Sequence, residues 1–255
     1  MNGAPRTRVV VGDRFPGFAA HDSVVTVSQF LTQLRAGGYA EGSTVVRAGQ
    51  GVGDFEWHLL REQVRVHGLE FRVRLVRPEG ELVSRAECHK RSEPNALIAG
   101  LHQVDEQLFR ASLRLHNDNE LLLDHQTGQH VQGMVAVEAA RQMFLAVTER
   151  FFASAHPGRH YYYVIESLNT DFENFLFPLD ARIDYRVQDA KVDDPERLWF
   201  SAEIGLLQAG RRASVTRVTF SAFDEQLLKP KEHRRAARAV AHAAAELLVP
   251  EPAGV

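Results

Sequence analysis

One stretch constrains this chain more than any other. Residues 133–152 read Gly-Met-Val-Ala-Val-Glu-Ala-Ala-Arg-Gln-Met-Phe-Leu-Ala-Val-Thr-Glu-Arg-Phe-Phe. Wound as a helix, Met134, Val135, Val137, Ala139, Ala140, Met143, Phe144, Leu145 and Val147 cover almost every direction. A helix apolar nearly all round is a buried helix, so the fold must wrap another layer about it. Residues 161–168, 181–187, 198–206 and 213–223 read as strands, and 108–115 and 120–123 as two more flanking the turn at 116–119. Two strands, a long buried helix, then a run of antiparallel strands is an α+β arrangement.

The first eighty residues follow another rule. Short β-branched runs at 8–11 and 44–46 alternate with a helix expected over 23–35, where Val24, Val27, Phe30, Leu31 and Leu34 recur at spacings of three and four. Gly37-Gly38 ends that helix, and Asp54 is expected to cap a second over 55–66 that Gly68 stops. Residues 69–76 alternate as a half-buried strand, and Pro78-Glu79-Gly80 closes the unit. The β-α-β-α-β order predicts a small parallel sheet. The expected partition is therefore an α/β subdomain over 1–80, an α+β domain over 86–225, and an Ala/Arg-rich C-terminal helix and tail over 230–255.

Composition narrows the function classes. Apolar content of 44% and charged content of 25% suit a packed globular protein. A net charge of −3 gives no global case for nucleic-acid binding. The single cysteine, Cys88, excludes an internal disulfide. Residues 1–13 do not have the pattern of a secretory signal, and no run of about eighteen apolar residues suggests a membrane span, so a cytoplasmic protein is expected.

Against the apolar helix, Glu138, Arg141 and Gln142 stand out, at i, i+3 and i+4 on one face. A buried carboxylate must be paired, hydrogen-bonded or neutral. Glu138 and Arg141 could merely satisfy one another, but polar groups beside a histidine-rich loop point to a site. That loop runs Asp124-His125-Gln126-Thr127-Gly128-Gln129-His130-Val131-Gln132-Gly133. Glycine at a helix start admits a ligand close to the backbone, where free N–H groups favour developing negative charge. A thioester carbonyl oxygen is such a target, with a loop histidine and a helix carboxylate as acid and base.

Leu-Leu-Leu-Asp-His at 121–125, followed by His-Val-Gln-Gly-Met-Val-Ala-Val-Glu-Ala-Ala-Arg-Gln at 130–142, resembles the A-factor biosynthesis hotdog family, which makes γ-butyrolactone signals. Cys88-His89-Lys90-Arg91 and Asn95 resemble that family's opening. More distantly, the loop and helix are similar to those of β-hydroxyacyl-carrier-protein dehydratases. The resemblance covers roughly residues 87–223, with Gln129 and Gln132 where the family usually has Asp and Pro. It implies a hotdog fold, a long helix wrapped by an antiparallel sheet, completed as a homodimer. It implies acyl transfer from a carrier-protein or coenzyme A thioester to a small hydroxylated acceptor, with no cofactor. Dehydration of a β-hydroxyacyl thioester, or thioester hydrolysis, is the alternative within enzymes, and a non-catalytic acyl-binding hotdog the alternative outside them. Carried over, Glu138, Arg141, His125 and His130 become the catalytic candidates, and Gly133, Met134 and Gln142 the substrate-binding ones. Gly133 and Glu138 are expected to face one pocket.

Other patterns carry less. Ala48-Gly49-Gln50-Gly51-Val52-Gly53 lies between a strand and a helix, as a phosphate loop would, but matches neither the dinucleotide nor the P-loop spacing, and a plain turn is expected. Cys88 and His89, read as neighbours on a strand, would point to opposite faces, leaving an inert buried thiol. His116, His125 and His130 match no standard zinc spacing. Lys229, Lys231, Arg234, Arg235 and Arg238 form a solvated face or a dock for an acidic carrier protein.

Overall fold

The computed structural model describes residues 5–78, 80–123 and 128–246. The expected role of His125 therefore falls outside the described residues. Within them no helix is long and apolar enough to cross a membrane.

The first unit contains β1 (Arg6–Val11), β2 (Val24–Thr26), α1 (Val27–Arg35), β3 (Thr44–Ala48), α2 (Asp54–Val66) and β4 (Val73–Val76). Its four strands pair in parallel in the order β2-β1-β3-β4. The first helix starts later than residue 23 because Val24, Val25 and Thr26 pair with β1 as a strand. Thr26 then takes the cap, accepting the Gln29 N–H while Gln29 accepts its own. At the second helix the cap is Gly53, one residue before the expected Asp54, and Glu56 Oε2 accepts the Gly53 N–H at 2.9 Å. The strand expected over 69–76 shortens to β4, because Leu69 and Val73 donate back to Val64 and Leu69.

The second unit runs β5 (Ile98–Gln103), β6 (Leu108–Leu113), α3 (Glu120–Leu123), α4 (Gly133–Phe151), β7 (Tyr161–Phe172), β8 (Arg182–Lys191), β9 (Arg197–Gln208), β10 (Arg211–Asp224) and α5 (Glu225–Glu246). Six strands pair in the order β5-β6-β8-β9-β10-β7, antiparallel throughout. Residues 120–123 form a helical turn where a strand was expected. Asn119 Oδ1 accepts the Leu121 N–H and Asn95 Oδ1 the Glu120 N–H, which satisfies the first donors of a helix. The sheet curves round α4, whose Val135, Ala139, Ala140, Met143 and Val147 are fully buried. Phe144 stacks on Phe220 at 4.4 Å between ring centroids. Each such buried large side chain contributes roughly 1.5–3 kcal/mol, which fixes the helix and whatever projects from it.

Alternation along β1 joins the units. Val10 packs with Phe30, Leu34, Trp57 and Leu60 beneath α1 and α2, whereas Val11 packs into the core around α4. The parallel sheet is thus covered by its own helices on one face and by the second unit on the other, as buried parallel sheets require. Gln50, fully buried, fastens the joint. Its Nε2 donates to the Leu113 and Leu179 carbonyls at 3.0 and 3.1 Å, and its Oε1 accepts the Leu115 N–H at 2.7 Å. The glycine-rich loop therefore serves as this fastening, with the close approach of Gly51 to Gly12 permitted by a positive φ of 79° and no side chain.

Candidate active site

The amino end of α4 opens on a cavity of about 490 Å³. Val131 is pinned by its N–H to the Leu176 carbonyl at 2.7 Å, and Gln132, in extended conformation, reaches Leu121 O with its side-chain amide. Among the described residues no side chain caps the helix; the Val135 N–H turns back on the Gln132 carbonyl at 3.1 Å, which leaves the Gly133 and Met134 amides as the open donors beside the cavity. Gly133, His130, Phe172, Phe175, Leu176 and Ser214 are among the lining residues. A Cβ at Gly133 would fall 2.9 Å from Phe172 Cε1, so glycine is what lets that ring close over the helix start. The His130 ring tilts against Phe175 at 5.1 Å.

Ser214 is the residue that sequence reasoning missed. It is 1% exposed, and its hydroxyl has no hydrogen-bond partner among the described residues. A buried orphan hydroxyl costs roughly 1–3 kcal/mol, and a native one needs an explanation. A register shift between Arg212 and Ser214 against β9 places it, and it shares the parity of Val218, Phe220 and Ala222, which face the core. Serine within a β-strand carries no sequence signal of this kind.

A second polar group surrounds Glu138. Its carboxylate receives Arg141 Nε at 2.8 Å, Lys90 Nζ at 2.6 Å and Gln142 Nε2 at 2.9 Å. Burial alone would raise this carboxyl's pKa. The donors of Arg141, Lys90 and Gln142 outweigh it and hold the group at about 2. Gln142, fully buried, accepts the Leu97 N–H and donates to the Asn95 carbonyl, both at 2.8 Å. Further along α4, Glu149 meets His89 Nε2 at 2.9 Å and Arg150 meets Glu87 at 2.6 Å. Lys90 and Asn95, from one motif read in the sequence, and the Glu138-Arg141-Gln142 face, read as another, thus form one network, while His89 of the first motif pairs with Glu149 further along the helix. Cys88 sits in a turn, not on a strand, so the opposite-face argument does not apply to it. It is buried nonetheless, and burial pushes its thiol up to about 12.

Gly133 and Glu138 do not share a pocket, contrary to expectation. Glu138 is absent from the lining at the helix start. Five residues at 100° each turn the side chain about 140° away, so nearness along the axis did not make a common face. His130 and Gly133 lie at the cavity, while Arg141 and Gln142 lie with Glu138. Met134 is 57% exposed beside the helix start. His116 lies in a different cavity from His130, and among the described residues no three His, Cys, Asp or Glu side chains gather as a metal site would need.

Residues 73–224 match the family model described as the A-factor biosynthesis hotdog domain. The match reaches back to take in β4. No curated protein matches the sequence. Among solved structures, a mutant thioesterase from Pseudomonas aeruginosa aligns at 17% identity with a TM-score of 0.40, covering 58% of this chain and 96% of that one. The dehydratase heterocomplex ApeI:P from Xenorhabdus doucetiae aligns at 14% identity with a TM-score of 0.42, covering 60% and 97%.

Proposed function

Since this chain belongs to the A-factor biosynthesis hotdog family, we propose that it is an enzyme that binds an acyl thioester at the amino end of α4 and passes the acyl group to a small hydroxylated acceptor. The observation that carries the reading is the cavity in which the start of α4, His130 and Ser214 converge on apolar walls, the helix start without a side-chain cap and the Ser214 hydroxyl without a partner among the described residues. The helix amides and Ser214 are donors for a carbonyl oxygen that gains negative charge. Phe172, Phe175 and Leu176 offer apolar surface to the acyl chain.

In the proposed reaction the acceptor oxygen attacks the thioester carbonyl carbon, and His130 takes the hydroxyl proton. The oxyanion is held by the helix amides and Ser214. The carbon–sulfur bond then breaks, the proton passes to the leaving thiolate, and an ester and a free thiol result. Glu138 acts in this reading as a positioning residue. Its carboxylate is ionised and filled by three donors, so near neutral pH it has no proton to give. The same point counts against dehydration with Glu138 as acid.

The thioester is carried by coenzyme A or by a carrier protein. The exposed basic residues of α5, among them Lys231, Arg234, Arg235 and Arg238, suit docking of an acidic carrier. A second copy of the chain pairs along β7, an edge strand that ends at Phe172 in the cavity wall, so that dimerisation covers the edge and closes the site.

Purified protein is to be offered coenzyme A and carrier-protein acyl thioesters with a panel of hydroxylated acceptors, reading free thiol and product mass. Thiol release with an ester product supports transfer. An enoyl thioester product would instead mean dehydration. Saturable binding with no thiol release and no new product would mean a non-catalytic acyl-binding hotdog.

A further inference from the structure

Two guanidinium groups, Arg77 and Arg114, line a cavity of about 510 Å³ between the α/β unit and the hotdog. Arg77 directly follows β4, and the loop after β3 leads through Gly53 into α2, whose start also lines the cavity. The space therefore lies outside the carboxyl ends of two neighbouring parallel strands, where open α/β sheets bind their ligands.

The charges there are poorly matched. Arg77 Nη1 meets Asp54 Oδ1 at 2.5 Å, but Arg77 Nε is buried and has no hydrogen-bond partner among the described residues. Arg114 donates to the Pro78 carbonyl at 3.4 Å, and no ion pair joins it among the described residues. Burial, and after it the charge of Arg77, pull the Arg114 pKa below arginine's usual value. Among the described residues the carboxylates that act on Arg114 are Asp54, held by Arg77, and Asp180, held by Arg47, so three guanidiniums share two carboxylates and the excess costs free energy that a bound anion would recover. Of the acids at the rim, Glu81 and Glu93 are exposed and screened by solvent. His116 adds a donor. Its Nδ1 accepts the Asp118 N–H at 3.0 Å, which leaves the ring proton on Nε2.

We propose that this cavity binds the phosphate group of a small phosphorylated molecule, held between Arg77 and Arg114 with Asp54 released to solvent. Two guanidiniums on different elements and an imidazole N–H supply more donors than the two oxygens of a carboxylate use, and match the three terminal oxygens of a phosphate monoester. The site does not depend on the thioester reading, yet it adjoins it. Pro94 and Ala96 line the cavity, while Asn95 and Leu97 hold Gln142, and through it Glu138, on the other side of the same short segment.

The test is calorimetric titration of the full-length protein with inorganic phosphate at constant ionic strength in chloride. Wild type is expected to bind saturably. Arg114→Gln should weaken binding about tenfold or more, the worth of a charge-assisted contact. Glu81→Gln, at the rim, should bind at least as tightly as wild type. Absence of phosphate binding beyond matched chloride in the wild type would overturn the proposal, and needs no variant. So would unchanged binding by a folded Arg114→Gln. If that variant does not fold, Arg77→Lys, which keeps the charge and loses the fork, takes its place and should also weaken binding. Competition then assigns the source. Displacement by coenzyme A and not by its dephospho form identifies the coenzyme's 3′-phosphate, and no displacement by either a separate phosphomonoester, both of which retain the site; equal displacement by the two would place the shared diphosphate there and overturn the monoester assignment.

Discussion

Lys90 Nζ lies 2.6 Å from Glu138 Oε1, tying the loop ahead of β5 to the middle of the buried helix. Both side chains are largely shielded, at 23% and 19% exposure. Removing either partner strands the other's charge, so the pair should respond as a unit. In a double-mutant cycle, Glu138→Gln and Lys90→Met should each destabilise by roughly 1–3 kcal/mol, with a coupling of about 1 kcal/mol or more. Additive single effects in denaturant melts would contradict the linkage.

The depressed Glu138 carboxyl makes stability fall in acid. Its folded pKa of about 2 is below glutamate's ordinary 4.5, so its contribution is complete above about pH 4.5 and is lost as pH drops toward 2. The magnitude is on the order of 2–3 kcal/mol. Glu87 shifts in the same direction, where burial opposes but Arg150 and Ser84 prevail. Melting curves between pH 7 and pH 3 should show Glu138→Gln losing less stability than wild type over the acid limb.

Ser214→Ala should separate stability from activity. It removes an orphan hydroxyl, so its melting temperature should match or exceed that of wild type. Thioester turnover should drop about 10²-fold or more if the hydroxyl holds the oxyanion. Equal turnover would remove Ser214 from the mechanism.

Gly133→Ala should behave similarly for a different reason. Alanine favours helix by about 1 kcal/mol over glycine, but its Cβ would push the Phe172 ring into the cavity. Little or no loss of melting temperature together with a raised KM is the expected result, read from steady-state kinetics.

Dimerisation along β7 is checked by light scattering. Wild type should scatter as a dimer, and Ile165→Lys, at a 42% exposed position on that strand, should shift it toward monomer and lower turnover. A monomeric, active wild type would refute the edge pairing.

Much of the architecture was legible because pattern and burial agree. The helix over residues 133–152, the four strands after it and the alternation of strand and helix in the opening follow from periodicity, except that Val24–Thr26, read as helix, pair with β1 as a strand. Local hydrogen bonding overrode periodicity elsewhere. Asn95 and Asn119 turn the apolar run at 120–123 into a helical turn, and Ile98–Gln103 was not foreseen as a strand. The site was legible as residues and less so as geometry. His89-Lys90 and Glu138-Arg141-Gln142 were each visible, but their meeting is a tertiary fact. Gly133 and Glu138 were near in sequence, and helical rotation set them apart. Ser214 became visible only through its unmet hydroxyl.

The three hydrogen bonds of Gln50 bear on how the molecule comes apart. Pulling the α/β unit away would leave Leu113 O, Leu115 N and Leu179 O facing a vacated slot, and would bare Val11, Phe15 and Phe18 together with the surface they cover. Two sheets that are separate in topology are thereby made to melt as one cooperative body, and the hotdog cannot be lifted out as a portable module without replacing the surface it would lose.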